Sequence, residues 1–150
     1  MHTDAVDELL FTALPDWYAF TARLQELIAE RLGIGATDLQ CLHFLNRHGP
    51  TTAGELARRV GRSTGAVTRM IDRLERAGFV RRMPSDTDRR SVRVAPTPEG
   101  LTILTEEFEE IAERSRAVLA EHPESELGAL LRLVRALTDQ SAREMSRLLD

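Results

Sequence analysis

The sequence predicts a mainly α-helical fold with one small β-hairpin, and three observations carry that expectation. Apolar residues recur at helical spacing over most of the chain. Two strand-like runs, Phe79 to Met83 and Ser91 to Ala95, lie close together around a polar, turn-rich stretch. Capping residues and glycines cut the remainder into segments of helical length. With 150 residues, 42% of them hydrophobic and 29% charged, the chain is long enough for an independent core.

The first helix is expected over residues 4–32, with Leu10, Ala13, Leu14, Trp17, Leu24, Leu27 and Ile28 near helical spacing. Pro15 should kink it or restart it at Pro15-Asp16, and Gly33 and Gly35 end it. A second helix opens at Thr37, where Thr37 and Gln40 match a capping box, and carries Leu39, Leu42 and Leu45 inward. It stops at His48-Gly49-Pro50. Thr52 to Glu55 form another capping box ahead of a short helix that ends near Val60, with Leu56 and Val60 on one face. Gly61 breaks the chain, Ser63 caps the next helix, and Gly78 ends it after Ala77. The hairpin follows, with a long basic tip from Pro84 to Arg90. Thr97-Pro98-Glu99 restarts helix with proline at the first helical position, and Leu104, Phe108, Ile111, Val118 and Leu119 form its apolar stripe. His122-Pro123 separates it from a last helix bearing Leu127, Leu130, Leu131, Val134, Leu137, Met145 and Leu148.

The order is helix, helix, helix-turn-helix, hairpin, helix, helix. It predicts a winged helix-turn-helix domain over residues 37–97, with residues 4–32 and 98–149 as long terminal helices of a single chain. Their apolar stripes exceed what the small middle can cover, so they are expected to form a dimerisation region against a second copy.

Charge is unevenly spread. The net charge is −4, yet Arg47 to Arg93 hold 12 Arg against five acids, a local +7 that leaves −11 elsewhere. A basic middle between acidic ends is the footprint of a polyanion-binding surface. All 20 basic residues are arginine. On the helix from Ser63 to Ala77, Val67, Met70, Ile71 and Leu74 fall on one inward face. The other side offers Ser63, Thr64, Gly65 and Thr68, small residues that let the backbone approach DNA, followed by Arg69 and Arg73. A helix of about 22 Å fits across the major groove and reads bases with its first turns. Taken singly, such arginines merely solvate a surface helix; the capped helix, glycine turn, amphipathic helix and basic hairpin together point to double-stranded DNA.

The stretch from His48 to Gly100, and most specifically its second helix followed by Asp88-Arg89-Arg90 and Thr97-Pro98-Glu99-Gly100, closely resembles the multiple-antibiotic-resistance regulator (MarR) family. The resemblance implies a homodimeric regulator of transcription, commonly a repressor, that binds a palindromic operator and is relieved by a small molecule or by oxidation. It also implies that Arg90 at the wing tip enters the minor groove with Asp88 bracing it. The family doubles this D-x-R pattern, whereas Ser85-Asp86-Thr87 stand here where the first copy would lie. Arg89 competes with Arg90 for insertion, since a narrow groove attracts any well-held guanidinium. Thr52 and Arg82 complete the expected DNA-binding set, and alternation along the strand lets only one of Arg81 and Arg82 face phosphate.

The resemblance further implies a site for a small aromatic or amphipathic ligand between the terminal helices and the winged domain. Trp17, Phe20, His43, Phe44 and Phe108 are the candidates to line it, although such residues at helical spacing also serve as plain core. Cys41 is the only cysteine, which excludes an intrachain disulfide and fits a reducing cytoplasm. It falls between Leu39 and Leu42 on a core-facing helix, where a thiol is normally inert, so a redox-responsive regulator is the weaker alternative. A winged-helix protein-interaction module is another. The scattered histidines His2, His43, His48 and His122 make no HxxxH pair and predict no metal site. No nucleophile elbow, phosphate loop or paired-carboxylate motif appears, so neither an enzyme nor a cofactor is expected. The acidic N-terminus reads as no secretory signal, and no apolar run suits a membrane span.

Overall fold

The computed structural model describes residues 3–85, 87 and 91–149. Helix α1 (Thr3–Glu8) runs through a π-helical turn (Leu9–Ala13) into α2 (Leu14–Arg31). The widened turn lies immediately before Pro15, which lacks an N–H and would crowd the carbonyl of Phe11 in a regular helix. The predicted kink at Pro15 therefore takes the form of a π turn, with the Leu14 amide bonded to the Leu9 carbonyl.

Helix α3 (Ala36–His48) begins one residue earlier than the sequence suggests. Its cap is Gly35, whose amide donates to Asp38 Oδ2 at 3.2 Å, so the Thr37–Gln40 capping box is not the one used. Glycine can take the extended conformation needed there, and Asp38 supplies the carboxylate that an N-terminal turn favours. Strand β1 (Thr51–Thr52) precedes α4 (Ala53–Val60), and Thr52 Oγ1 accepts from the Glu55 amide at 3.2 Å, as expected of a cap. The Glu55 side chain, however, turns to Arg58 and Arg59. Gly61 sits at φ 62°, the left-handed conformation that lets α4 end sharply before α5 (Thr64–Arg76).

Strands β2 (Val80–Pro84) and β3 (Val92–Pro96) pair antiparallel, with Arg82 opposite Val94. Both are displaced by one residue from the predicted runs. Strand β1 joins the other edge of β3, giving the order β1-β3-β2. The sequence reading misses β1 because a two-residue strand has no periodicity and owes its existence to a partner some 40 residues away. Helix α6 (Pro98–Leu119) and helix α7 (Glu124–Leu149) complete the chain.

One core unites the middle of the chain. Leu39, Leu42 and Leu45 of α3, Leu56 of α4, Val67, Met70, Ile71 and Leu74 of α5, and Phe79, Val80 and Val94 of the sheet are all buried. The four α5 residues are those the helical projection turned inward. From the terminal helices only Ile28 and Ala29 of α2 and Gly100 and Leu104 of α6 are buried, and α7 buries none. Leu24, Leu27, Val118, Leu119, Leu130, Leu131, Leu133 and Val134 remain exposed. Among the described residues, no helix is long and apolar enough to cross a membrane.

Candidate nucleic-acid interface

The residues that face outward from α5 are set in place by its cap. Ser63 Oγ accepts from the Ala66 amide at 3.3 Å, which fixes the start of the helix and leaves the hydroxyl hydrogen free to donate. The first amides of a helix have no intrahelical acceptor, so those of Thr64 and Gly65 add to the local positive potential. Gly65 is exposed, and a Cβ there would meet no heavy atom within 4 Å, so the surface beside it is open. Thr68 Oγ1 donates to the Thr64 carbonyl at 2.9 Å, holding its methyl and its remaining lone pairs in one orientation. Arg69 follows on the same exposed side, with no ion-pair partner among the described residues.

The other arginines in this region are engaged. Arg73 Nη2 donates to Asp38 Oδ1 at 2.7 Å and Nε lies 3.4 Å from Oδ2, and this hydrogen bonding raises the guanidinium pKa. Arg82 of β2 pairs with Asp72 at 2.6 Å and with Glu75, both on α5, while its backbone amide donates to Glu75 Oε1 at 3.1 Å. Its pKa is also raised, chiefly by the hydrogen bond to Asp72. Arg82 thus fastens β2 to α5 and offsets one of the two negative charges on that helix's flank. Its neighbour Arg81 is exposed too and has no ion-pair partner among the described residues, so burial along β2 does not alternate at this pair and Arg81 is the freer cation of the two.

A groove of about 230 Å³ beside α5 is lined by Thr37, Arg62, Arg69 and Arg73 among others. Arg62, in the turn between α4 and α5, is absent from the sequence-derived set. Its signal was available in the basic residue next to the turn glycine, but a turn residue has no helical face to project. Thr52 is half-buried and acts as the α4 cap. Asp88, Arg89 and Arg90 lie outside the described residues, so the structure places only the strands that carry the wing tip.

The motif Thr97-Pro98-Glu99-Gly100 has a clear physical basis. Thr97 Oγ1 accepts from the Gly100 amide at 2.9 Å and donates to the Gly78 carbonyl at 2.5 Å, and the Thr97 amide reaches the Phe79 carbonyl at 2.9 Å. One threonine therefore caps α6 and ties it to the end of α5. Gly100 is forced by proximity, because a Cβ there would lie 2.5 Å from the Phe79 carbonyl oxygen and 2.8 Å from its Cα.

The family model described as MarR family matches residues 34–92. The chain is 36% identical to the HTH-type transcriptional regulator YcgE of Bacillus subtilis over 85% of its own length and 83% of that protein. The chain belongs to the MarR family. Among its MarR relatives, the transcriptional repressor MdtR of Bacillus subtilis is 32% identical over 62% of this chain and 57% of that protein. The crystal structure of wild-type MarR from E. coli superposes with a TM-score of 0.64 at 25% identity, covering 85% of this chain and 96% of that one. The fold is a MarR-like winged helix, and the chain is a DNA-binding transcription regulator like its relatives, which are regulators rather than enzymes.

The residues expected to line a ligand crevice do not converge. His43 and Phe108 meet edge-to-face with ring centroids 4.7 Å apart. Phe44 instead stacks on His48 at 4.5 Å with Arg59 over its ring. Trp17 and Phe20 are 63% and 78% exposed on α2. A crevice of about 670 Å³ lies between α2 and α6 and is lined by Leu24, Leu27, Ile28 and Ile111 with Arg31, Arg114 and several glutamates. None of the five candidates lines it. Cys41 is fully buried, and burial together with the Asp38 charge pushes its thiol up to about 12, so almost no thiolate exists at neutral pH.

Proposed function

We propose that this MarR-family regulator acts as a homodimeric repressor that reads a palindromic operator through α5 and grips the flanking minor groove through the wing tip. The observation that carries the reading is the asymmetry of α5. Its acids, Asp72 and Glu75, are both tied to Arg82, while Arg69 and the small polar side chains of Ser63, Thr64 and Thr68 remain exposed. A surface of this kind offers DNA unpaired positive charge beside free hydrogen-bonding groups. Arg90, braced by Asp88, is the proposed minor-groove contact, with Arg89 as its competitor. Dimerisation is supported by the apolar side chains left exposed on α2, α6 and α7, which one copy cannot cover. MdtR is a transcriptional repressor, and repression is extended to this chain on that likeness. Release by a small aromatic or amphipathic ligand is part of the same proposal, and the α2–α6 crevice is a cavity of suitable size for it.

Salt-dependent retardation of duplex DNA tests this reading. Wild-type protein is expected to bind a selected duplex with affinity that falls steeply as salt rises, and Arg69→Ala and Arg90→Ala each to weaken it. Retention of wild-type affinity by both variants would favour a winged-helix module that contacts protein instead.

A further inference from the structure

Asp38 is the one buried carboxylate among the described residues, 3% exposed and two residues from the start of α3. Its two oxygens serve three donors: the Gly35 amide, and Arg73 Nη2 and Nε across 35 residues of sequence. A carboxylate held out of water is costly unless its charge is matched in good geometry, and a guanidinium fork supplies that geometry. The pair therefore admits a narrow range of positions of α5 relative to α3. Arg73 also lines the basic groove beside Arg62 and Arg69, where its side chain would otherwise be free for a phosphate.

We propose that Asp38 is a positioning residue for operator binding, whose ion pair with Arg73 sets the seat of the recognition helix on α3 and withholds Arg73 from DNA. The inference rests on α5 being the recognition helix. It makes a prediction opposite in sign to simple electrostatics. Removing a negative charge near a polyanion site should tighten binding; removing a positioning group should loosen it.

The same carboxylate caps α3 where α2 turns into it, with the Ile34 amide bonded to the Ala29 carbonyl at 3.0 Å just upstream. One side chain thus touches both the junction with α2 and the helix that reads DNA. Arg69, by contrast, has no carboxylate partner among the described residues and stands as the internal control.

The test measures affinity for a selected operator over a range of salt concentrations for Asp38→Asn, Arg73→Gln, the double variant and Arg69→Ala, with thermal melting as the folding control. Asp38→Asn and Arg73→Gln are each expected to weaken binding by about tenfold, and the double variant no more than either single. Arg73→Gln is expected to keep the wild-type dependence of log affinity on log salt, because no phosphate contact is lost. A drop of about 0.9 in that slope would mean that Arg73 neutralises a phosphate, and would overturn the proposal. Binding by Asp38→Asn that equals or exceeds wild type would overturn it as well. Should Asp38→Asn fail to fold, Arg73→Lys replaces it, since it keeps a charge for the buried Asp38 carboxylate but not the two-pronged geometry: weakened binding with an unchanged salt slope is expected, and wild-type affinity would overturn the proposal. Wild-type affinity and slope for Arg69→Ala would remove the reading of α5 itself, and this inference with it.

Discussion

Arg69 and Arg82 are the same residue type within one basic segment, yet their surroundings give them different work. Arg82 spends its guanidinium on Asp72 and Glu75, whereas Arg69 stands open on the face that starts with Ser63. Arg69→Ala is therefore expected to cost roughly 1–3 kcal/mol of operator binding and to relax discrimination at particular base positions, read by titrating a panel of operator variants at one salt concentration. Such differences are invisible in a linear sequence, because the partners of Arg73 and Arg82 come from other elements. His43 supplies a second prediction. Burial pushes its pKa below the ordinary 6.5, so the unfolded chain takes up a proton at a higher pH than the folded one. Its contribution to stability is intact above 6.5 and is lost over the window in which pH falls from 6.5 toward the lowered folded value. Chemical denaturation across that window should show a decline for wild type that is smaller in His43→Phe; an equal decline in both would exclude His43 as a source.

At the scale of elements, caps are legible where the cap residue has a side chain that signals one. Ser63, Thr52 and Thr97 each cap the helix the sequence assigns them, because donor and acceptor lie three residues apart. The start of α3 was misread since Gly35 has no side chain to signal a cap, and its acceptor is the carboxylate of Asp38. Strand β1 and the convergence of the aromatic candidates depend on contacts between distant segments, which periodicity does not encode. Phe79, just ahead of β2, lies directly against α6 at Gly100. Gly100→Ala would drive a methyl group into the Phe79 backbone, which cannot retreat without parting the sheet from α6. Overpacking of this kind costs about 1–3 kcal/mol or more, so a lowered melting temperature is expected, with the helical content of the folded protein unchanged. A melting temperature equal to wild type would show that the contact relaxes freely.

For the whole molecule, the terminal helices present the plainest physical demand. Helix α7 is 26 residues long and buries none of them, although Leu130, Leu131, Leu133 and Val134 all lie on it. Leu131→Asp with Val134→Asp is expected to shift the protein from dimer toward the 16.8 kDa monomer in light scattering and to weaken operator binding in parallel, since two linked recognition helices bind far better than one. A dimer of undiminished stability would place the interface elsewhere. The long apolar stripes were legible in the sequence; which copy covers which stripe was not, because that depends on the angle between helices. The central claim is that two copies of α5 read a two-fold operator. Selecting bound sequences from random duplex DNA tests it most directly. Enrichment of an inverted repeat with half-sites centred ~10 bp apart, flanked by A·T-rich steps, is the predicted result. Enrichment of a single unrepeated half-site, or of no sequence at all, would contradict it.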